Sequence, residues 1–118
     1  HVLVGAAGND GPAAPPLFPA SYPGVIGVGA VDARGRVLPE SASGKQVAFC
    51  ALGVVGSGRD MLRGTSFAAP IVARKATRML DAPHPGAATQ VLQGLISEVQ
   101  PPASSDQGQR CGHGLLSP

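Results

Sequence analysis

Large rings are scarce in this chain: 118 residues include no Trp, one Tyr and three Phe. A core here cannot be built on aromatic side chains. It must be packed from Ala, Val, Leu, Ile and Gly, which suits close helix-on-sheet layers. Charge is scarce as well, at 14% of residues with a net +2. No basic run exceeds the pair Arg74-Lys75, so the electrostatic footprint of a nucleic-acid binder is missing. No apolar run approaches the roughly 20 residues of a membrane-spanning helix. Cysteine is limited to Cys50 and Cys111, too few for a cysteine metal framework or a dense disulfide scaffold. One disulfide and two free thiols both fit that count. The chain opens His1-Val2-Leu3-Val4-Gly5, with neither an initiator Met nor a signal peptide. Val2–Ala7 therefore reads as a strand cut at its start, and the expectation is the later part of a longer protein.

What is abundant is Gly (17) and Pro (12), and these punctuate the chain. Val2–Ala7 is an apolar run that closes in the turn Gly8-Asn9-Asp10-Gly11, a buried-strand signal. Five prolines between Pro12 and Pro23 fix φ and predict an irregular loop. Val25–Val31 is a second apolar strand, ended by Asp32-Ala33-Arg34-Gly35. Such near-continuous apolar runs suit parallel strands covered on both faces. Arg36–Gly44 reads as a polar loop, Gln46–Leu52 as a third strand, Val54-Val55 as a short extended piece, and Gly56–Arg63 as a polar connection.

A helix is expected over Thr65–Leu80, with Phe67, Ile71, Val72, Ala76, Met79 and Leu80 apolar. Arg74, Lys75 and Arg78 share its opposite, solvated side. A second helix is expected over Ala87–Val99, with Val91, Leu92, Leu95, Ile96 and Val99 on one stripe. Pro101–Gln109 reads as a polar, mobile loop, and Cys111–Leu116 as a closing turn and short strand. Strands followed by helices predict an α/β layered fold with a mostly parallel sheet.

The organising stretch is Gly64-Thr65-Ser66-Phe67-Ala68-Ala69-Pro70. Glycine permits a tight approach, and Ser66 falls in the first turn of the expected helix. Unpaired N–H groups and the positive end of the helix dipole favour developing negative charge there. That suits a nucleophile whose attack creates an oxyanion. Taken alone, Thr65 or Ser66 serves equally well as an N-cap. Asn9 is the second candidate. It follows a strand, at the sheet edge where α/β proteins gather ligands. Its side-chain N–H₂ can complete an oxyanion hole with the Ser66 N–H, although Asn is also an ordinary turn residue.

Together, Val4-Gly5-Ala6-Ala7-Gly8-Asn9-Asp10-Gly11, Tyr22–Asp32 and Gly64–Pro70 resemble the subtilisin-like serine proteases, in the family's order. The ending Gly112-His113-Gly114-Leu115-Leu116 resembles its closing segment, so the likeness covers nearly the whole chain. It implies the C-terminal part of a three-layer α/β peptidase domain. Ser66 is then the nucleophile and a backbone oxyanion donor, Asn9 the side-chain donor, and Thr65 a supporting hydroxyl. Ala7, Gly8 and Asn9 become one wall of the pocket for the residue before the scissile bond. Leu17 falls at that pocket's base and makes it shallow, while Asp10 at the rim attracts basic side chains.

The resemblance also implies what the chain does not carry. The family's Asp and His precede its Ser. None of His1, His84 and His113 lies in its His-Gly-Thr motif, and no Asp lies in its Asp-Thr-Gly or Asp-Ser-Gly motif. The general base, and half the sheet, are expected in an N-terminal part of the same domain. Without that part the segment is expected to be inactive and aggregation-prone.

The implied substrate is a polypeptide, and export is the implied destination. No cofactor is required for the chemistry. Structural calcium occurs in the family, but no dense Asp/Asn loop appears here; only carbonyls around Ala20, Tyr22 and Val25 offer a cation site. Three positions depart from the pattern: Arg74 replaces a Gly, Leu52 replaces a Pro, and Gly56–Arg63 is short. They keep open a catalytically inactive relative with a binding or inhibitory role. A nucleotide-binding reading of Gly5–Gly11 lacks both the Gly-x-Gly-x-x-Gly spacing and a Walker lysine.

Overall fold

The computed structural model describes residues 2–13, 15–18, 20–80, 85–100 and 108–118. Four strands form one parallel sheet in the order β1 (Leu3–Ala6), β2 (Val25–Val31), β3 (Val47–Leu52), β6 (Leu115–Leu116). Val54–Val55 (β4) and Leu62–Arg63 (β5) form an antiparallel hairpin. The helices are α1 (Thr65–Arg78), α2 (Ala87–Glu98) and the short α3 (Gly108–Cys111).

The layers follow from the alternation of small apolar residues. Ile26, Val28 and Ala30 of β2 pack with Phe49 and Ala51 of β3 against Ala68, Val72 and Ala76 of α1 and Val91 and Leu95 of α2. With so few rings, Phe49 is the largest fully buried side chain among the described residues. The opposite face is covered by the segment after β2 and by α3, where Val31 and Val37 surround Cys50 and Cys111. The two cysteines form a disulfide across 61 positions of sequence, which settles the alternative that composition left open.

Several expectations need adjusting. The first helix ends at Arg78 and the second at Glu98. On α1 the buried positions are Thr65, Ala68, Val72 and Ala76, whereas Phe67 and Ile71 are half-buried. Small residues face the sheet because close approach leaves no room for larger ones. The basic side is only partly solvated: Arg74 and Arg78 are exposed, but Lys75 pairs with Glu98 of α2 at 3.4 Å. Arg36–Gly44 is polar in composition yet buries Val37, Leu38, Ser41 and Ala42. Gly56–Arg63 includes a 3₁₀ turn at Gly58–Asp60 and then β5. Most of Pro101–Gln109, together with His1 and His84, lies outside the described residues.

Candidate functional site

All four sheet strands run the same way, so their C-terminal ends share one edge. The turn after β1 and the ends of β2 and β3 meet there, and α1 begins there. Gly53, just after β3, donates its N–H to Val31 O at 2.9 Å and accepts from the Gly64 N–H at 2.8 Å. Any Cβ on Gly53 would lie 2.4 Å from Ala30 Cβ and 2.8 Å from Gly64 O. The start of α1 is therefore pressed directly onto the sheet edge. Gly64 itself has φ +145°, a conformation that side chains rarely adopt.

This junction holds Asn9 in place. Asn9 Oδ1 accepts from the Thr65 N–H at 2.8 Å, and Thr65 Oγ1 accepts from the Gly8 N–H at 3.1 Å. The two bonds are reciprocal and join segments 56 and 57 positions apart. Because Asn9 Oδ1 is engaged, its N–H₂ is the end left to meet a ligand. The Thr65 hydroxyl, having accepted one bond, keeps its proton to donate. Thr65 is buried and the adjacent Ser66 is exposed. The Ser66 N–H belongs to the first turn of α1, where backbone donors lack the i−4 acceptors of the helix interior, and α1 carries no acidic residue in that turn. The result is an electropositive backbone end beside a free hydroxyl and a fixed amide. That set can bind an oxyanion at an acyl centre attached to the serine.

The other implied positions are placed less uniformly. Leu17 lies over Gly8, since a side chain at Gly8 would put its first carbon 2.5 Å from Leu17 Cδ1. Ala7 is fully buried with Ala42 and Val47, so its methyl belongs to the packing. Asp10 is exposed in the same turn. His113, by contrast, packs its ring 5.4 Å from that of Phe49, and it shares a groove with Val2, Ile26 and Ala48. Those residues stand at the strands' N-terminal ends, so His113 is at the wrong edge to serve Ser66. Among the described residues no other histidine occurs.

Nor does any group of three His, Cys, Asp or Glu that could hold a metal ion occur among them. Ala20, Tyr22 and Val25 line a groove of about 540 Å³ together with Lys45. The Tyr22 carbonyl there accepts from the Val25 N–H at 3.2 Å. No helix among the described residues is long and apolar enough to cross a membrane.

Sequence reading missed two residues at this edge, Glu40 and Arg63. They form a two-point ion pair, with Arg63 Nη2 2.9 Å from Glu40 Oε2. The arginine's hydrogen bond holds the Glu40 carboxyl below its ordinary range, and Glu40 in turn raises the Arg63 guanidinium. They stand 23 positions apart in segments that read as plain polar loops, and no spacing rule links them.

The chain as a whole is similar to known proteins along most of its length. The model of the Subtilase family matches residues 1–114. The patellamide maturation protease PatA is 33% identical with a TM-score of 0.77, the match covering 98% of this chain and 47% of that one. A self-cleaved protease domain of PatA is 34% identical with a TM-score of 0.74, covering 98% and 46%. The prenylagaramide maturation protease PagA is 32% identical with a TM-score of 0.74, covering 98% and 47%. The chain thus spans just under half the length of each of these three structures.

Proposed function

Because this chain belongs to the subtilase family, we propose that it supplies the nucleophile and the oxyanion-binding half of a serine endopeptidase active site. Ser66 attacks the scissile carbonyl carbon to form an acyl-enzyme. The Ser66 N–H and the Asn9 N–H₂ hold the oxyanion, with the Thr65 hydroxyl in support. The observation that carries this reading is the reciprocal pair of hydrogen bonds between the Gly8-Asn9 turn and Thr65, one residue before Ser66. A capping residue needs no such lock. Preorganised donors that hardly move on reaction do need one.

A serine hydroxyl is a weak nucleophile near neutral pH without a base. His113 is at the opposite sheet edge; on this reading the base comes from an N-terminal part of the same domain, as the family resemblance implies, and this segment is inactive without it. Substrate is a polypeptide. Leu17, lying over Gly8, makes the pocket before the scissile bond shallow and favours small or medium side chains there; Asp10 adds a preference for basic ones. No cofactor enters the chemistry. Structural calcium is not part of this reading: the groove lined by Ala20, Tyr22 and Val25 is lined by Lys45 as well, whose charge disfavours a cation there. The buried Cys50–Cys111 disulfide favours an oxidising, exported location.

The test is to treat the full-length gene product with a fluorophosphonate and map any adduct by mass. A single adduct on Ser66 is expected. A folded, unlabelled protein would instead support an inactive relative; Arg74, the departure that kept that reading open, is exposed on α1 and carries no burial cost.

A further inference from the structure

The segment Val37–Gly44 bonds the turn that carries Asn9 and reaches Arg63, just before α1. Its Ala42 N–H donates to Gly8 O at 2.9 Å, and its Glu40 carbonyl accepts from the Gly11 N–H at 2.8 Å. These two bonds grip the turn on either side of Asn9. The Glu40 side chain then reaches across to Arg63, which adjoins Gly64 and lies two residues before Thr65. The segment itself is fastened from behind. Leu38 N–H bonds Ala30 O at 2.9 Å, and Ala30 N–H bonds the buried Ser41 Oγ at 3.1 Å. Arg110, next to the disulfide-bonded Cys111, donates through Nη2 to the carbonyls of Leu38 at 3.1 Å and Ser41 at 2.6 Å. A bracket tied to the sheet and to the disulfide therefore carries one arm to the Asn9 turn and another to the start of α1.

Resting on the reading of Ser66 and Asn9 above, we propose that Glu40 and Arg63 are positioning residues. Their ion pair links the two segments of the oxyanion site, which lie far apart in sequence, and fixes the Asn9 turn against Thr65 and Ser66. Exposure separates this role from a stabilising one. The two side chains are 31% and 44% exposed, and exposed pairs contribute little to global stability. The pair's effect is therefore local and appears in the rate.

The test compares Glu40→Gln, Arg63→Gln, the double variant and Arg63→Lys in the full-length protein. Each glutamine variant should slow fluorophosphonate capture by Ser66 about tenfold, a fraction of what losing a whole oxyanion donor costs. On a peptide substrate kcat should fall while KM stays within about twofold. The double variant should be no worse than the poorer single one, because both remove the same link. Arg63→Lys, which keeps the charge, should lose less than Arg63→Gln. Amide exchange gives a readout that does not need activity. Gly8 and Thr65 should exchange about tenfold faster in the glutamine variants, with Val28 and Val31 unchanged.

Multiplicative losses, a raised KM with unchanged kcat, or unmoved exchange at Gly8 and Thr65 would each overturn the proposal. An unmodified protein that ignores the probe sinks the peptidase reading instead, and the exchange rates still decide whether the pair positions the turn.

Discussion

The interior and the strand-end edge of this molecule are held by different forces. Inside, Val28, Phe49, Val72, Val91 and Leu95 are inaccessible to water, and their stabilisation is non-directional burial of apolar surface. At the edge, Asn9, Ser66 and the Glu40–Arg63 pair are exposed or partly so. Named hydrogen bonds between distant segments fix them. Burial tolerates a range of apolar shapes, whereas a hydrogen-bonded junction depends on individual atoms. Substitutions inside should therefore cost stability, and substitutions at the edge should cost rate.

Ser66→Ala draws the sharpest contrast. In the full-length protein it should abolish peptide hydrolysis and probe labelling, a loss of about a millionfold in kcat, a magnitude taken over from subtilisin. The melting temperature should stay put, because the hydroxyl is exposed and no folded contact is lost. A large fall in melting temperature would break the division between the two regions. Phe49→Ala is its counterpart. Removing this ring, the largest fully buried side chain among the described residues, should destabilise by about 3–5 kcal/mol, measured by chemical denaturation. At denaturant concentrations where the variant is still folded, probe capture by Ser66 should be close to that of the parent.

Asn9→Ala should fall between them. It deletes the proposed donor and the acceptor for the Thr65 N–H. The expected loss in kcat is about a hundredfold to a thousandfold, again a magnitude from subtilisin, with a modest loss of stability from one orphaned N–H. A variant that loses KM alone would assign Asn9 to substrate binding.

The same division governs what could be read from sequence. The strand Val25–Val31 was legible to the residue because its apolar run ends at a clear turn. Ser66 and Asn9 were legible as candidates because Gly-Thr-Ser and Gly-Asn-Asp-Gly are local patterns. The burial of Val37, Leu38 and Ala42 was hidden, since polar neighbours mask them and their cover comes from α3 and the sheet. The hairpin of Val54–Val55 with Leu62–Arg63 was half seen, because two-residue strands carry no period. Glu40 and Arg63 were invisible. Their meeting depends on tertiary placement, and one charge in a loop resembles any other.

The smallest effect expected concerns pH. Two carboxylates are held below their ordinary values. For Glu40 the dominant cause is the hydrogen bond from Arg63, against a weaker opposing effect of burial. For Asp32 burial pulls upward, but the Arg36 and Arg34 N–H groups, at 3.0 and 2.9 Å from Oδ1, outweigh it together with the Arg36 charge. A carboxyl lowered on folding adds stability that is fully present above its unfolded value, 4.5 for Glu40 and 3.8 for Asp32. That stability is lost as pH falls through the lower folded value. Thermal melts taken from about pH 6 down to about pH 3 should therefore decline gently. Glu40→Gln and Asp32→Asn should each flatten the decline slightly. Arg63→Gln should reproduce the Glu40→Gln curve and leave the Asp32 contribution intact, since Asp32 is held mainly by its own turn. Curves that respond to Asp32→Asn and Arg63→Gln alike would mean that the two carboxylates share one network, and the edge would then be one unit extending to the end of β2.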